Sequence, residues 1–136
     1  LKGRIFMIGF ILVSHSNKLV EGLKEIAEQI NGKESNIKAI GGTSDGRIGT
    51  NPIEIYEALE EMYDGDNILI FGDLGSSIMS AQMAIDMVSD KIREKTILVD
   101  SPLVEGAIAA IIQSSITQNL EEVISAANEA KTMNKF

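Results

Sequence analysis

The sequence predicts an α/β fold of three layers, a doubly wound sheet of four parallel strands in the order 2-1-3-4 with helices on both faces. Two observations indicate it. Short apolar runs without polar alternation recur along the chain, as in strands that are covered on both faces. Segments with apolar residues at helical spacing separate these runs, and such alternation gives a parallel sheet with crossover helices.

Four apolar runs are the predicted strands. Each is bounded by polar residues or glycine, and most are rich in Ile, Leu, Val or Phe. They are Arg4–Ser14, Asn36–Ile40, Asp66–Gly72 and Lys95–Asp100.

The predicted helices fill the segments between and after the strands. The first ends at Asn31-Gly32, the second begins at Pro52, and the third covers Ile78–Val88. Two more follow Pro102, with a break near Gln118-Asn119, where Asn119 is the expected N-cap. The six methionines lie along apolar stripes, so we expect them in the core.

The length of 136 residues fits one domain, which we place at residues 7–136. We expect residues 1–6 to be an added leader and Met7 to be the natural start. No uncharged apolar run reaches 18 residues, which argues against a membrane span.

Composition narrows the classes of function. The chain has no cysteine, which excludes disulfides and thiolate chemistry and suits a reducing, cytoplasmic location. The net charge of −8 repels phosphate backbones and anionic lipid, so nucleic acid and membrane surfaces are unfavourable partners. A basic protein partner fits such a surface.

The predicted topology brings two polar residues to one crevice. His15, the only histidine, follows strand 1, and Asp73 follows strand 3. In the order 2-1-3-4 the winding reverses between these strands, and ligands bind outside the carboxyl ends at such a reversal. A carboxylate bonded to one ring nitrogen fixes the tautomer, so Asp73 would orient His15 and leave Nε2 for attack.

Small polar residues beside this pair form a candidate phosphate pocket. Gly75, Ser76 and Ser77 open a helix, whose N–H groups and dipole attract anions. Gly41, Gly42 and Thr43 begin a glycine-rich loop across the crevice. Because the motif of nucleoside triphosphatases is missing, this combination favours carrying a phosphoryl group on histidine over splitting ATP.

Simpler interpretations of the same residues stay open at this point. A lone histidine is often structural or a surface residue. Asp73 could serve only as the N-cap of the helix that follows it. The loop "GGTSDGRIGTN" could be no more than a connection, although long loops are often functional.

Four motifs carry a resemblance to a known family. "ILVSHSNKLVEGL", "GGTSDGRIGT", "DLGSSIMSAQMA" and "SPLVEGAIAA" together resemble the phosphotransferase subunits of phosphoenolpyruvate-dependent dihydroxyacetone kinases. Those subunits belong to the mannose-type enzyme IIA superfamily of the sugar phosphotransferase system. The resemblance runs from about Met7 to the C-terminal helix.

The resemblance implies a phosphoryl relay. His15 would accept a phosphoryl group from the histidine phosphocarrier protein HPr and pass it to ADP in the nucleotide-binding subunit of the kinase. Asp73 would be the acid beside it, and Gly42, Thr43, Gly75, Ser76 and Ser77 would shape the phosphate pocket. The chain would form a homodimer and need neither a metal nor a cofactor of its own.

Two other functions remain open. A mannose-type transporter IIA domain would donate to a sugar-specific IIB protein instead. A regulatory module would only change its binding to a partner when phosphorylated. Flavin binding is disfavoured, since the chain has no tryptophan and two tyrosines to stack on the ring.

Overall fold

A computed structural model describes residues 7–32, 35–43 and 45–136. The expected leader, residues 1–6, lies outside this part of the chain. In chain order the elements are β1 Gly9–Ser14, α1 Asn17–Asn31, β2 Ile37–Gly41, α2 Pro52–Met62, β3 Ile68–Gly72, α3 Gly75–Met87, α4 Asp90–Arg93, β4 Thr96–Leu98, α5 Leu103–Ile116, α6 Leu120–Glu129 and a 3-10 turn, Ala130–Thr132.

The four strands form one parallel sheet in the order β2-β1-β3-β4, which confirms the predicted fold and topology. β1 is central and pairs with β2 on one side and with β3 on the other. Val13 lies opposite both Ile40 and Gly72. This register fixes which residues meet just beyond the carboxyl ends of the strands.

Helices cover both faces of the sheet because successive strand residues point to opposite sides. Phe10 and Leu12 of β1 pack in a core with α1, α5 and α6. Ile11 and Val13 of the same strand pack in a second core with α2 and α3. Both cores contain buried residues of β3 as well, so β1 and β3 are covered from both sides.

Local signals in the sequence account for several helix ends. Asn51 caps α2 by accepting a 3.0 Å hydrogen bond from the N–H of Ile53, and Pro52 begins the helix. Asn119 caps α6 in the same way through the N–H of Glu122, as predicted. Gly32 ends α1 with a φ of 92°, a backbone conformation that favours glycine.

The short helix α4 was not predicted from the sequence. Four residues make about one turn, too few to show a helical period. Side-chain contacts hold this segment, since the Arg93 guanidinium donates to the carbonyls of Ile85 and Asp86 in the last turn of α3 and of Val88 just after it.

The expectation that the methionines lie in the core is wrong for most of them. Met62 is buried, but Met79, Met83 and Met87 of α3 are 65%, 56% and 46% exposed. The buried side of α3 consists of small residues, Ser77, Ser80, Ala81 and Ala84. Small residues let the helix approach its neighbours closely, which leaves the large side chains outside.

None of the described helices combines the length and the apolar character that a membrane span requires.

Candidate functional site

The candidate site lies at the carboxyl ends of β1 and β3, where the strand order reverses. His15 directly follows β1, and Asp73 directly follows β3. Because Val13 is aligned with Gly72, the next residues of each strand emerge side by side. The structure therefore places His15 and Asp73 in contact, although 58 positions separate them in sequence.

Asp73 accepts four hydrogen bonds in this crevice. Its Oδ1 lies 2.9 Å from His15 Nδ1 and accepts from the N–H of Leu74 at 2.7 Å. Its Oδ2 accepts from the Ser14 hydroxyl at 2.8 Å and from the backbone N–H of His15 at 3.0 Å. The carboxylate thus fixes both the ring and the backbone of His15.

These hydrogen bonds set the charge of Asp73. Partial burial acts to raise the pKa of this carboxyl, and the bonds from the His15 N–H, the Ser14 hydroxyl, the His15 ring and the Leu74 N–H act to lower it. Together the bonds outweigh burial and hold the pKa of Asp73 far below its ordinary value. Asp73 is therefore ionised at neutral pH.

The ionised carboxylate decides the tautomer of His15. A carboxylate can only accept, so Nδ1 must carry the proton that it donates to Asp73. In a neutral ring Nε2 then holds the lone pair. Nε2 contacts the hydroxyl of Ser76, which can donate to it. The His15 and Asp73 side chains are 20% and 18% exposed, so Nε2 lies in a partly open crevice.

The first turn of α3 lies against Nε2. Leu74 is the N-cap of this helix and provides no side-chain cap, so Asp73 does not cap Ser76 or Ser77. The N–H groups of a first helical turn have no partner within the helix. Ser77 is an exception, since its N–H and its buried hydroxyl both donate to the Leu74 carbonyl. Gly75 and Ser76 are thus placed to offer donors to the crevice, whereas Ser77 is not.

The loop after β2 forms the other side of the crevice. His15, Gly42 and Thr43 line a pocket of about 580 Å³ together with Lys18 and Arg47. Gly42 has a φ of 73°, which favours glycine. Thr43 donates its N–H to the Arg47 carbonyl at 2.8 Å, and its hydroxyl binds the Asp45 carboxylate. Thr43 therefore shapes the loop with donors that are already occupied.

Several residues of the site were missed from the sequence. The Ser14 hydroxyl supports Asp73, and Lys18 brings positive charge to the pocket beside His15. Arg47 lines the same pocket, with its guanidinium paired with Asp45 at 2.8 Å. Gly41 was expected at the start of the loop, and it allows a close approach to the start of α1, because a Cβ there would lie 2.7 Å from the Ser16 carbonyl oxygen. Lys18 could have been predicted from the sequence. It lies in the first turn of a helix that begins just after His15, and that turn stays near the His15 ring.

Asp73 and Gly75 also line a second pocket, of about 410 Å³, on the β4 side of the site. The residues predicted to form the phosphate pocket thus lie on both sides of the His15 ring. Gly42 and Thr43 lie toward β2, and Gly75 and Ser76 lie toward β3. The described residues contain no group of three or more metal-ligating side chains. What they assemble is an oriented nucleophilic nitrogen beside donors and cations that suit a phosphoryl group.

Comparison with known proteins agrees with this arrangement. The family model EIIA-man, described as the fructose IIA component of the phosphotransferase system, matches residues 9–124. The chain therefore belongs to the mannose-type EIIA family. A crystal structure of a protein of unknown function aligns with a TM-score of 0.88 at 37% identity, over 96% of this chain and 99% of the other. A phosphotransferase EIIA component from Streptococcus agalactiae shares the fold at 21% identity, with a TM-score of 0.68 and coverage of 96% and 98%.

Curated relatives confirm the resemblance to the subunits of dihydroxyacetone kinases. The phosphoryl donor subunit DhaM of the phosphoenolpyruvate-dependent dihydroxyacetone kinase 2 of Listeria innocua is 41% identical over 118 residues. The match covers 87% of this chain and 94% of that protein. The corresponding subunit of Providencia stuartii is 38% identical over 127 residues, which cover 91% of this chain but 27% of that longer protein.

Proposed function

We propose that this chain carries a phosphoryl group on Nε2 of His15. It accepts the group from HPr and passes it to ADP held in the nucleotide-binding subunit of a dihydroxyacetone kinase. The observation that carries the proposal is the 2.9 Å contact between Asp73 and Nδ1, which leaves the lone pair of Nε2 toward the crevice. The names of the relatives from Listeria innocua and Providencia stuartii support the class of reaction.

Each transfer exchanges one bond to phosphorus for another. On loading, the lone pair of Nε2 forms the new P–N bond while the bond between phosphorus and the donor nitrogen breaks, and the donor keeps that electron pair. On discharge, a terminal phosphate oxygen of ADP forms a P–O bond, the P–Nε2 bond breaks, and ATP leaves. Nδ1 keeps its proton throughout, and Asp73 stays ionised.

The role of Asp73 is electrostatic and geometric. Bonding at Nε2 places positive charge on the ring, and the carboxylate at 2.9 Å stabilises it. Phosphoryl transfer depends mainly on positioning and charge neutralisation, so an oriented ring is most of what the chain must supply.

The surroundings of Nε2 suit the phosphoryl oxygens. The first-turn N–H groups of Gly75 and Ser76 and the Ser76 hydroxyl lie on one side. Lys18 and Arg47 line the pocket on the other. Gly42, Thr43 and Ser77 act by shaping the loop and the helix start that hold these donors.

The chain needs no metal or cofactor of its own, because the partner subunit holds ADP, and it acts as a homodimer. A cytoplasmic location stays a prediction. The relative from Providencia stuartii is a longer protein, and its similarity to this chain covers 27% of its length.

A transporter IIA function is the second candidate. It is favoured by the description of the matching family and by the fold shared with the Streptococcus agalactiae component. In that case His15 would load in the same way, but the acceptor would be a IIB protein.

The test is intact-protein mass spectrometry after mixing the chain with phosphoenolpyruvate, enzyme I and HPr, followed by the ADP-loaded kinase subunit. We expect one phosphoryl adduct that is labile in acid and stable in alkali, as a phosphohistidine is and a phosphoserine at Ser14 or Ser76 is not. We expect His15→Gln to form no adduct. The adduct should disappear as the kinase subunit is added.

Each other outcome points elsewhere. An adduct that is discharged only by a IIB protein would support the transporter function. An adduct that neither acceptor removes would support the function of a regulatory module. No adduct, or an adduct on His15→Gln, would contradict the proposal.

A further inference from the structure

An ion pair lies at the surface of the loop that follows β2. Nε of Arg47 donates to Oδ2 of Asp45 at 2.8 Å. The Arg47 side chain is 82% exposed and the Asp45 side chain is 53% exposed. An ion pair between exposed side chains contributes little to stability, because water and salt screen it. Arg47 can therefore leave Asp45 at little cost to the fold.

The two oxygens of the Asp45 carboxylate have different partners. Oδ1 accepts from the hydroxyl of Thr43 and from the backbone N–H of Arg47, the latter at 3.3 Å. Oδ2 accepts from the Arg47 guanidinium. The loop is also held by its backbone, since the Thr43 N–H donates to the Arg47 carbonyl at 2.8 Å. The shape of the loop thus depends on Oδ1 and on the backbone, whereas Oδ2 holds the side chain of Arg47.

The loop places Arg47 in the pocket beside the reacting nitrogen. Arg47 and His15 line the same pocket of about 580 Å³. The N–H of Gly49 donates to the His15 carbonyl at 3.0 Å, so the loop is tied to the end of β1. A phosphoryl group on Nε2 would bring about two negative charges and three acceptor oxygens to this pocket.

The other charged residues of the pocket are placed differently. Lys18 lines it from the first turn of α1, and Glu54 lines it from the first turn of α2. Their helices fix where these side chains begin, whereas Arg47 lies on a loop and is paired with an exposed carboxylate. The planar fork of arginine fits carboxylate and phosphate alike, and an anion with more charge and more oxygens attracts it more strongly.

We propose that Arg47 exchanges partners during the reaction cycle. It pairs with Asp45 in the empty chain and with the phosphoryl oxygens when Nε2 of His15 is loaded. This inference rests on the proposed function, since it concerns the phosphoryl group on His15. Arg47 is then a ligand of that group, and Asp45 is a positioning residue that competes for the guanidinium. Because a carrier must also release its cargo, this competition keeps the loaded state from becoming too stable to discharge.

Asp45→Asn separates the ion pair from the shape of the loop. The amide oxygen can keep the bonds that Oδ1 accepts, and an amide nitrogen in place of Oδ2 cannot accept from the guanidinium. Arg47→Gln removes the cation, and Arg47→Lys keeps the charge without the planar fork. Glu61→Gln is the matched control. Glu61 pairs with Lys38 at 2.6 Å at the surface, and neither residue lines the pocket of His15.

The first measurement is the equilibrium of phosphoryl transfer between HPr and the chain, read by intact-protein mass spectrometry. We expect Arg47→Gln to lower the ratio of loaded to empty chain about five-fold, because the loaded state loses a hydrogen-bonded cation, and Arg47→Lys to lower it less. We expect Asp45→Asn to raise the ratio about three-fold, because the guanidinium no longer has to leave a carboxylate. Glu61→Gln should leave the ratio unchanged.

The double variant tests whether Asp45 acts through Arg47. When Arg47→Gln is already present, no guanidinium is left to compete for. Asp45→Asn should then change the ratio of loaded to empty chain by less than about 1.5-fold, so the two substitutions are not additive.

A second readout does not depend on HPr. Phosphoramidate transfers its phosphoryl group to Nε2 of His15 and releases ammonia, and phosphorus NMR at a series of pH values then gives the pKa of the phosphoryl group. A nearby cation favours the more charged form of an anion. We therefore expect the pKa of the phosphoryl group to be higher in Arg47→Gln and lower in Asp45→Asn than in the unaltered chain.

The outcomes are distinguishable. An unchanged ratio and an unchanged phosphoryl pKa in Arg47→Gln would overturn the exchange. An equal effect of Asp45→Asn with and without Arg47 would also overturn it, since the carboxylate would then act by its charge alone. The same conclusion would follow if Glu61→Gln matched Asp45→Asn. If HPr does not load the unaltered chain but the phosphoryl pKa shifts as expected, the proposed function fails and the exchange stands.

Discussion

Replacing Asp73 by Asn tests how the carboxylate orients His15. Asp73 accepts from four donors, and Asn offers one oxygen in place of two. With that oxygen toward the Ser14 hydroxyl and the His15 N–H, the amide nitrogen faces Nδ1 and donates to it. The ring must then carry its proton on Nε2, so the lone pair that attacks phosphorus is lost.

The size of the effect follows from the geometry. At 2.9 Å between nitrogen and oxygen, the charge centres of ring and carboxylate lie about 4 Å apart, where a pair of unit charges attracts by about 4 kcal/mol at an effective dielectric constant of 20. The ring charge is only partly developed in the transition state, and solvent reaches both groups. Half of this attraction, about 2 kcal/mol, slows loading about thirty-fold. The change of tautomer adds to that.

The assay is rapid-quench loading from phosphorylated HPr, followed by intact mass, with long-range proton–nitrogen NMR of the His15 ring to report the tautomer. Asp100→Asn is the matched control, because Asp100 follows β4 and its exposed carboxylate pairs only loosely with Lys131 at 3.3 Å. We expect Asp100→Asn to load normally. Loading of Asp73→Asn at the full rate, with the Nδ1–H tautomer retained, would refute the orienting role.

Two further predictions concern the same site. The pKa of Asp73 is lower in the folded than in the unfolded chain, so its contribution to stability is fully present above about pH 5 and is lost as the pH falls through the folded value. The advantage of the unaltered chain over Asp73→Asn in urea unfolding should therefore be constant above pH 5 and shrink below pH 4; a difference independent of pH would contradict it. Ser76→Ala should shorten the lifetime of the phosphohistidine about five-fold, the value of one hydrogen bond of about 1 kcal/mol, while Ser115→Ala on α5 leaves it unchanged. An unchanged lifetime in Ser76→Ala would mean that its hydroxyl does not contact the phosphoryl group.

The pairing of His15 with Asp73 was accessible from the sequence because it depends on topology. Apolar runs without alternation indicate strands that are covered on both faces, and the usual winding of such strands sets their order. Once the order is set, residues that directly follow β1 and β3 must meet. No side-chain detail is needed for that step.

The donors around the ring were less accessible. Ser76 and Ser77 are identical residues next to each other, yet one hydroxyl contacts Nε2 and the other is buried against the Leu74 carbonyl. Their difference comes from the exact rotation of the first turn of α3, which begins at Gly75. A shift of helix start by part of a turn changes which side chain faces the crevice.

The sequence by itself determined the class of fold, the order of the strands and the residues that end β1 and β3, because these depend on hydrophobic period and on short connections. Only the tertiary structure decided which face of α3 is buried. Both sides of that helix contain apolar residues, so its helical period is weak and packing decides which side is buried. The small side chains of Ser80, Ala81 and Ala84 are buried, and Met79, Met83 and Met87 remain exposed.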